Sequence, residues 1–482
     1  MIFVDYFTKS LYTFINDKAS EKAILNMKDL TKGSIPKNLL IYAIPAILAG
    51  ILSRTHSIVD SIMVGKFLGT NGLAAIGCMN SFRNVLSSLL WGAGMGIAVY
   101  IGSLVNTKKN GQAVRALKSN YSFLFLITII ISALAIILYK PLFSIFSVKQ
   151  EIYNDAFIYY AILIACEVAT VGHSLITNTF FAFGNSKFSM IASAISCVLN
   201  IGLNYLFIKI IPLGVLGAAL ATFISIFSVF IFGLFRIRKE CRMLSNEKQP
   251  FKIYKEDIKA GWKMAIPCMI QQGILYISSA VIQPSINTLN FSAIAAYSIC
   301  IQLYDICTIF FYSASKGLTT VCSQCYGKGK VNLINKCFFI SSIQGILLSA
   351  PIAIIMIIFP NTVASLFLQE GDLLTASYIA RYITLCFPFI ALATMTNCYH
   401  SFFRGVLKPI FATITTAVYT IARIGFSLAL LPSLEMDGVY WGFTLAWATE
   451  LIVCAIIHLS KKWKTAEFKK MENSLKSAKE NS

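Results

Sequence analysis

Charge is scarce in this chain of 482 residues. Only 13% of it is Asp, Glu, Lys or Arg, about half the share of an ordinary soluble domain. Acids are scarcer still, at 21 against 41 Lys and Arg. The four histidines are scattered and form no HExxH. There is no GxSxG and no pair of aspartates within the apolar stretches. Each absence removes the clustered residues that a membrane-embedded hydrolase needs, so the chain is not expected to be an enzyme. The thirteen cysteines lie mostly inside apolar stretches and follow no framework spacing. Cys322 and Cys325 stand at i, i+3 near a helix end, but further ligands are missing there, so neither a metal nor a redox centre is expected. The opening MIFVDYFTKS lacks a basic segment followed by an apolar core, so no cleavable signal peptide is expected.

What is abundant is apolar. Hydrophobic residues make up 57% of the chain, and the mean hydropathy is +0.71. The reading is an all-α polytopic membrane protein with twelve spans: 39–64, 73–105, 117–139, 156–181, 188–211, 214–235, 261–287, 293–325, 337–359, 377–402, 409–431 and 438–460. The net charge of +20 does not point to nucleic acid, because the basic residues sit in the loops, where they set topology. One alternating set of loops holds 31 Lys and Arg, and the other holds only Lys66, Lys140, Lys149 and Lys209. Both termini are therefore expected on the cytoplasmic side of a cell inner or plasma membrane.

The basic stretch 236–260 divides the spans six and six. The expected organisation is a cytoplasmic segment 1–38, a lobe 39–235, the linker 236–260, a second lobe 261–460 and a cytoplasmic tail 461–482. A shift of 221 residues carries Leu73-Ala74-Ala75 onto Ile294-Ala295-Ala296, Gly96 onto Gly317 and Lys109 onto Lys330. It also carries Gly184 onto Gly405, Lys187 onto Lys408, and Gly217 onto Gly438. Six spans per repeat leave both halves in the same orientation, so the lobes are expected to be parallel repeats about a pseudo-two-fold axis along the membrane normal, a transporter architecture.

Against that symmetry one feature stands out. The first span reads LLIYAIPAILAGILSRTHSIVDSIMV and carries Asp60, an expensive group in a bilayer. His56 lies one turn earlier and Arg54 is close by, so neutralisation at the interface is the plain alternative. The polar residues Asn200, Asn204 and Thr222 fall on Ile421, Gly425 and Phe443 in the other half, so this set is one-sided. At 1.5 Å per residue, Asn204 and Thr222 both lie about 12 Å below the outer ends of their spans, with Asn200 one turn deeper. All four can meet, either as an oxygen-rich site for a proton or sodium, or as interhelical hydrogen bonds of about 0.6 kcal/mol each. Glu167, Asp305, Lys316, Arg381, Arg423, Glu450, Arg83 and Arg54 are the other charges in spans. They either pair within a lobe or line a cavity. Glu167 and Asp305 are the candidates to attract a cationic substrate. Tyr276, Tyr297, Tyr304, Phe310 and Tyr312 either stack on an organic cation or simply pack.

Two stretches carry a family resemblance. The run KGSIPKNLLIYAIP…SIVDSIMVGKFLGTNGLAAIG, with FGNSKFSM…NIGLNYLFI and IPLGVLGAALATFIS after it, resembles multidrug and toxic compound extrusion (MATE) transporters. FFRGVLKPIF resembles the counterpart in the second half, and the similarity covers about residues 30–460. The resemblance implies two six-helix bundles and the export of small organic cations or drugs by one chain in the lipid bilayer, with inward protons or sodium and no other cofactor. It also implies a cation site at Asp60, Asn200, Asn204 and Thr222. Asn204 stands where the family pattern has an Asp, which leaves Asp60 as the only acid. The seventh span reads IPCMIQQGILY, so Gln271 and Gln272 stand where some members place an acid, and both join Glu167, Asp305 and Tyr304 as candidate cavity residues. The rival within the superfamily is a flippase for lipid-linked precursors, which the twelve spans and the SIVDSIMVGKFLG motif disfavour.

Overall fold

The computed structural model describes residues 30–473, apart from 32, 78–79, 146–147, 149, 246–251, 329, 369–371, 466–467 and 470–471. Side chains at 57, 60, 61, 65, 69–75, 77, 80, 81, 145, 331 and 332 lie outside the description as well. The described residues are helical almost throughout. In order they form α1 (Ile35–Gly77), α2 (Asn80–Asn106), α3 (Asn110–Ile137), α4 (Tyr139–Ile145), α5 (Tyr153–Ala182), α6 (Lys187–Asn204) and α7 (Gly214–Leu244). Then come α8 (Lys255–Asn287), α9 (Phe291–Gly327), α10 (Val331–Ile358), α11 (Pro360–Ser365), α12 (Leu373–Cys386), α13 (Ile390–Gly405), α14 (Pro409–Leu434) and α15 (Met436–Leu459). Twelve stretches are long and apolar enough to cross a membrane, with α12 and α13 counting as one. In hydrocarbon a backbone must satisfy its own hydrogen bonds, which a helix does. Exposed apolar residues recur at helical spacing, as with Phe339, Ile343 and Leu347 on α10 and Ile452, Ile456 and Leu459 on α15. Such stripes are costly in water and neutral against lipid tails.

The structure departs from the sequence reading at three places. α1 continues through 65–72, where a loop was expected, and reaches Gly77. Residues 73–77 therefore close the first helix instead of opening the second. Falling hydropathy marks where a chain leaves the bilayer, and a helix can run on past that level. The tenth span, expected as one helix over 377–402, is broken by a 3-10 turn at Phe387–Phe389, because Pro388 has no N–H to donate. The fifth span, expected as one helix to 211, changes to a π-helical turn at Tyr205–Ile210. There Ile211 N donates to Leu206 O at 2.9 Å and Leu213 N to Phe207 O at 2.8 Å.

The chain forms two compact units, and the divisions fall inside helices, between Ile47 and Leu48 of α1 and between Trp262 and Lys263 of α8. The first unit holds the start of α8. Arg115 Nε donates to Asp257 Oδ2 at 2.6 Å, Asn120 Nδ2 to Asp257 O at 3.0 Å, and Tyr254 N to Ser119 Oγ at 3.0 Å. The second unit holds the start of α1. Tyr42 OH bonds Thr320 Oγ1 at 3.3 Å, and Gln344 Nε2 donates to Pro36 O at 2.8 Å. The same shift of 221 residues carries positions 35–41 of α1 onto 256–262 of α8. Each unit thus retains the opening turns of the other's first span. The second unit is built around a large aromatic core that includes Tyr297, Phe311, Tyr382, Phe387, Tyr440, Phe443 and Trp447.

The repeat also appears as matched close approaches. A Cβ on Gly217 would stand 2.7 Å from Phe207 O, and one on Gly438 would stand 2.6 Å from Leu430 O. In both halves the start of the last span presses on the backbone that ends the span before it, and only glycine fits. Gly217→Ala and Gly438→Ala are each expected to cost about 1–3 kcal/mol through overpacking. Thermal unfolding in detergent checks this, and an unchanged midpoint in both variants would contradict it.

Candidate functional site

Asn200 and Asn204 lie one turn apart on α6, and Thr222 lies on α7; α6 and α7 are packed neighbours. Asn200 and Asn204 are fully buried and Thr222 is nearly so. Asn204 Nδ2 donates to Asn200 Oδ1 at 2.9 Å, and Asn200 Nδ2 reaches Thr222 Oγ1 at 3.4 Å. Ser225 Oγ donates to the Thr222 carbonyl at 2.9 Å. The three side chains therefore form one hydrogen-bonded set of amide and hydroxyl oxygens with no charge among them. Asn204 is the last residue of α6, and the π turn follows it directly. A π turn frees the regular backbone pairing locally and is common where a helix serves a site. Nothing in the local composition of YLFIKI announces it.

The Asp60 side chain lies outside the described residues, but the course of its helix is described. Ala49 shares a buried apolar cluster with Met190 and Ile191 of α6. Val64 shares another with Ile208 of the π turn and Val215, Ala218 and Ala219 of α7. Along α1 the cluster partners in the fifth span advance from 190–191 to 208, so α1 runs parallel to that span. Interpolation between these contacts sets backbone position 60 level with about 204. His56 and Arg54 are each engaged in an interaction.

The other candidates are placed as follows. Glu167 is buried in the first unit, where Ser87 Oγ donates to its Oε1 at 2.8 Å and the Arg83 charge acts on it. Asp305 and Gln272 are half-buried on α9 and α8. Tyr304 stacks on Trp447 with ring centroids 5.6 Å apart, packed against the aromatic core. Gln271 is buried and fully engaged: its Nε2 donates to Thr416 Oγ1 at 3.1 Å, and its Oε1 accepts from Arg404 Nη1 at 3.2 Å.

Two arrangements in the second unit escaped the sequence reading. His400 Nε2 and Glu450 Oε1 are 2.9 Å apart, both buried, and Thr416 Oγ1 lies 3.4 Å from the same nitrogen. With Gln271 they make a continuous polar line from Arg404 to Glu450. Arg423 is also buried. It donates to Ser278 Oγ at 2.9 Å and Tyr297 OH at 2.9 Å, and its guanidinium carbon sits 3.7 Å from the centroid of the Phe443 ring. Among the described residues it makes no ion pair with a carboxylate. Each residue was visible as a polar group in a span, but their pairing joins helices far apart in sequence.

Twelve spans in two repeated halves, with buried polar sets in each, define a multi-pass membrane protein of transporter architecture. The MatE family profile matches twice, at residues 45–206 and 267–428. The two matches are offset by 222 residues, within one of the internal shift. The chain belongs to the MatE family. It is 21% identical over 444 residues to the probable multidrug resistance protein YoeA of Bacillus subtilis (strain 168), covering 90% of this chain and 96% of that one. It is 25% identical over 398 residues to an FAD transporter of Shewanella oneidensis, covering 78% of this chain and 85% of that one. The fold is that of the outward-facing structure of a multidrug resistance MATE family transporter of the MOP superfamily. The TM-score is 0.83 at 18% identity, over 93% of this chain and 98% of that one.

Replacing Asn200 with Val removes the central member of the triad and leaves the Asn204 amide and the Thr222 hydroxyl short of a partner. The expected loss is about 1–3 kcal/mol, read as a lower unfolding temperature in detergent. A variant as stable as the parent would show that the triad does not hold α6 and α7 together.

Proposed function

We propose that this chain is a secondary active exporter that antiports organic cations or drugs outward against inward protons or sodium. The observation that carries the reading is the buried Asn200–Asn204–Thr222 set level with position 60 of α1, the one acid of that span. In this mechanism Asp60 alternates between a free state and a state holding a proton or sodium, with the oxygens of Asn200, Asn204 and Thr222 as the remaining ligands. Hard cations favour such oxygen ligands. Loading alters the packing of α1 against α6 and α7, and that change is coupled to substrate release. Each positive charge moving inward down the membrane potential yields about 2.3 kcal/mol per 100 mV. The basic loops support an orientation with both termini in the cytoplasm.

The test is export of a fluorescent organic cation from proteoliposomes, driven in turn by a pH gradient and by a sodium gradient. Asp60→Asn is expected to reduce gradient-driven export by at least about tenfold, which corresponds to ~1.4 kcal/mol of lost coupling. Undiminished export by that variant would sink the mechanism.

A second reading concerns the substrate. Arg423 lacks an acidic partner among the described residues, and Arg404 is buried with only neutral groups bonded to it. The planar guanidinium fork suits anionic groups that offer two oxygens, such as phosphates. The relative described as an FAD transporter supports an anionic, phosphate-bearing substrate as the rival to an organic cation. In the same proteoliposomes, competition by a flavin dinucleotide at concentrations that leave the bilayer intact favours the anionic reading. Competition by organic cations alone removes it.

A further inference from the structure

The second unit contains an ionisable pair that the antiport mechanism above leaves unused. His400 on α13 and Glu450 on α15 bridge two spans at 2.9 Å, with both side chains buried. Two lone pairs cannot face each other at that distance, so at least one proton lies between Nε2 and the carboxylate. With the imidazole neutral and its proton on Nε2, the pair carries one negative charge. With Nδ1 protonated as well, the same bond persists and the pair is neutral. The pair therefore gains and loses a proton without breaking its own contact, which an isolated buried carboxylate does not do.

Its surroundings fit that exchange. Thr416 of α14 touches the same nitrogen, Gln271 of α8 bonds Thr416, and Arg404 of α13 bonds Gln271. This line ends at the last turn of α13, where Arg404 lies. It joins the buried pair to a fixed positive charge through Gln271, which donates to Thr416 and accepts from Arg404, and through the Thr416 hydroxyl oxygen, a second and longer acceptor for the Nε2 proton. The other charged and titratable neighbours come from several helices. Tyr304 of α9, Tyr419 of α14 and Cys454 of α15 lie within electrostatic reach of Glu450. Arg423 of α14 acts on Tyr304 and Tyr419, and Asp305 lies beside Tyr304. Lys316 and Tyr312 of α9 and Cys268 of α8 face Arg404. Arg381 of α12 is held by Asp437 at the opposite end of α15. Without the extra proton, the negative pair is balanced by Arg404. With it, the unit gains one positive charge, and the α13–α15 contact becomes that of an imidazolium with a carboxylate.

We propose that His400 and Glu450 form a second proton-binding site, in the C-terminal unit, that is loaded and unloaded in the transport cycle. The cycle rests on the exporter reading; the proton binding does not. The full-length protein has four histidines, His56, His173, His400 and His458. Histidine-selective isotope labelling in lipid nanodiscs therefore resolves each imidazole, and His400→Gln assigns the signal. The His400 signal is expected to respond reversibly to pH with a single midpoint. Glu450→Gln, an isosteric change, is expected to displace that midpoint by about one pH unit or more and to move the pH profile of export by a similar amount. If Glu450→Gln does not accumulate, Thr416→Val, which removes only the hydroxyl at Nε2, is expected to displace the midpoint in the intact pair. A His400 signal that stays constant at every pH at which the protein stays folded overturns the proposal. So does an export pH profile that Glu450→Gln leaves unmoved. A titrating His400 in a protein that exports neither an organic cation nor a flavin dinucleotide supports the proton site and removes the exporter reading.

Discussion

Hydrocarbon cannot solvate a polar group, and that single constraint organises the molecule. Backbone groups meet it by forming helices, which is why the described chain is helical from α1 to α15. Polar side chains meet it by finding one another. Asn200, Asn204 and Thr222 do so in the first unit, and Gln271, Thr416, His400, Glu450 and Arg404 in the second. The buried charges follow the same rule: Glu167 takes a hydroxyl from Ser87, and Arg423 takes hydroxyls and a ring face. Each such group is retained at a cost in a medium that penalises it, so their positions mark where the fold does more than pack.

The repeat and its departures carry the second lesson. Gly217 and Gly438 meet matching backbones, so the two halves share a scaffold down to a single contact. The polar sets do not match. The first unit has a neutral triad bonded across α6 and α7. The second has a titratable line that crosses α8, α13, α14 and α15. A duplicated scaffold thus carries different polar contents in its two units.

The spans, the repeat and the triad were legible from the chain because each is a local or periodic signal. Apolar runs are contiguous, the shift of 221 is constant, and Asn200 and Asn204 share a face at i, i+4. The limits of those signals show in the misplaced end of α1, where hydropathy was taken for helix length. They also show in the π turn after Asn204, which depends on how the end of α6 meets α7. The cavity candidates make the same point. Gln271 reads as a candidate cavity residue in IPCMIQQGILY, yet both ends of its amide are bonded inside the unit. Tyr304 reads as a candidate stacking surface, yet it packs face to face with Trp447.

By itself the sequence determined that this protein lives in a bilayer, crosses it twelve times, repeats its scaffold and keeps very few acids. All of these follow from composition and spacing, quantities that need no knowledge of which helix lies beside which. Only the tertiary structure decided the partners: His400 with Glu450 across 50 residues, Arg404 with Gln271 across 133, and Asp257 with Arg115 across 142. The physical reason is that a buried polar group must be satisfied, but any of several groups at the right depth can satisfy it. The choice among them is made by helix packing, and packing is set by the summed contacts of whole faces and not by the polar residues themselves.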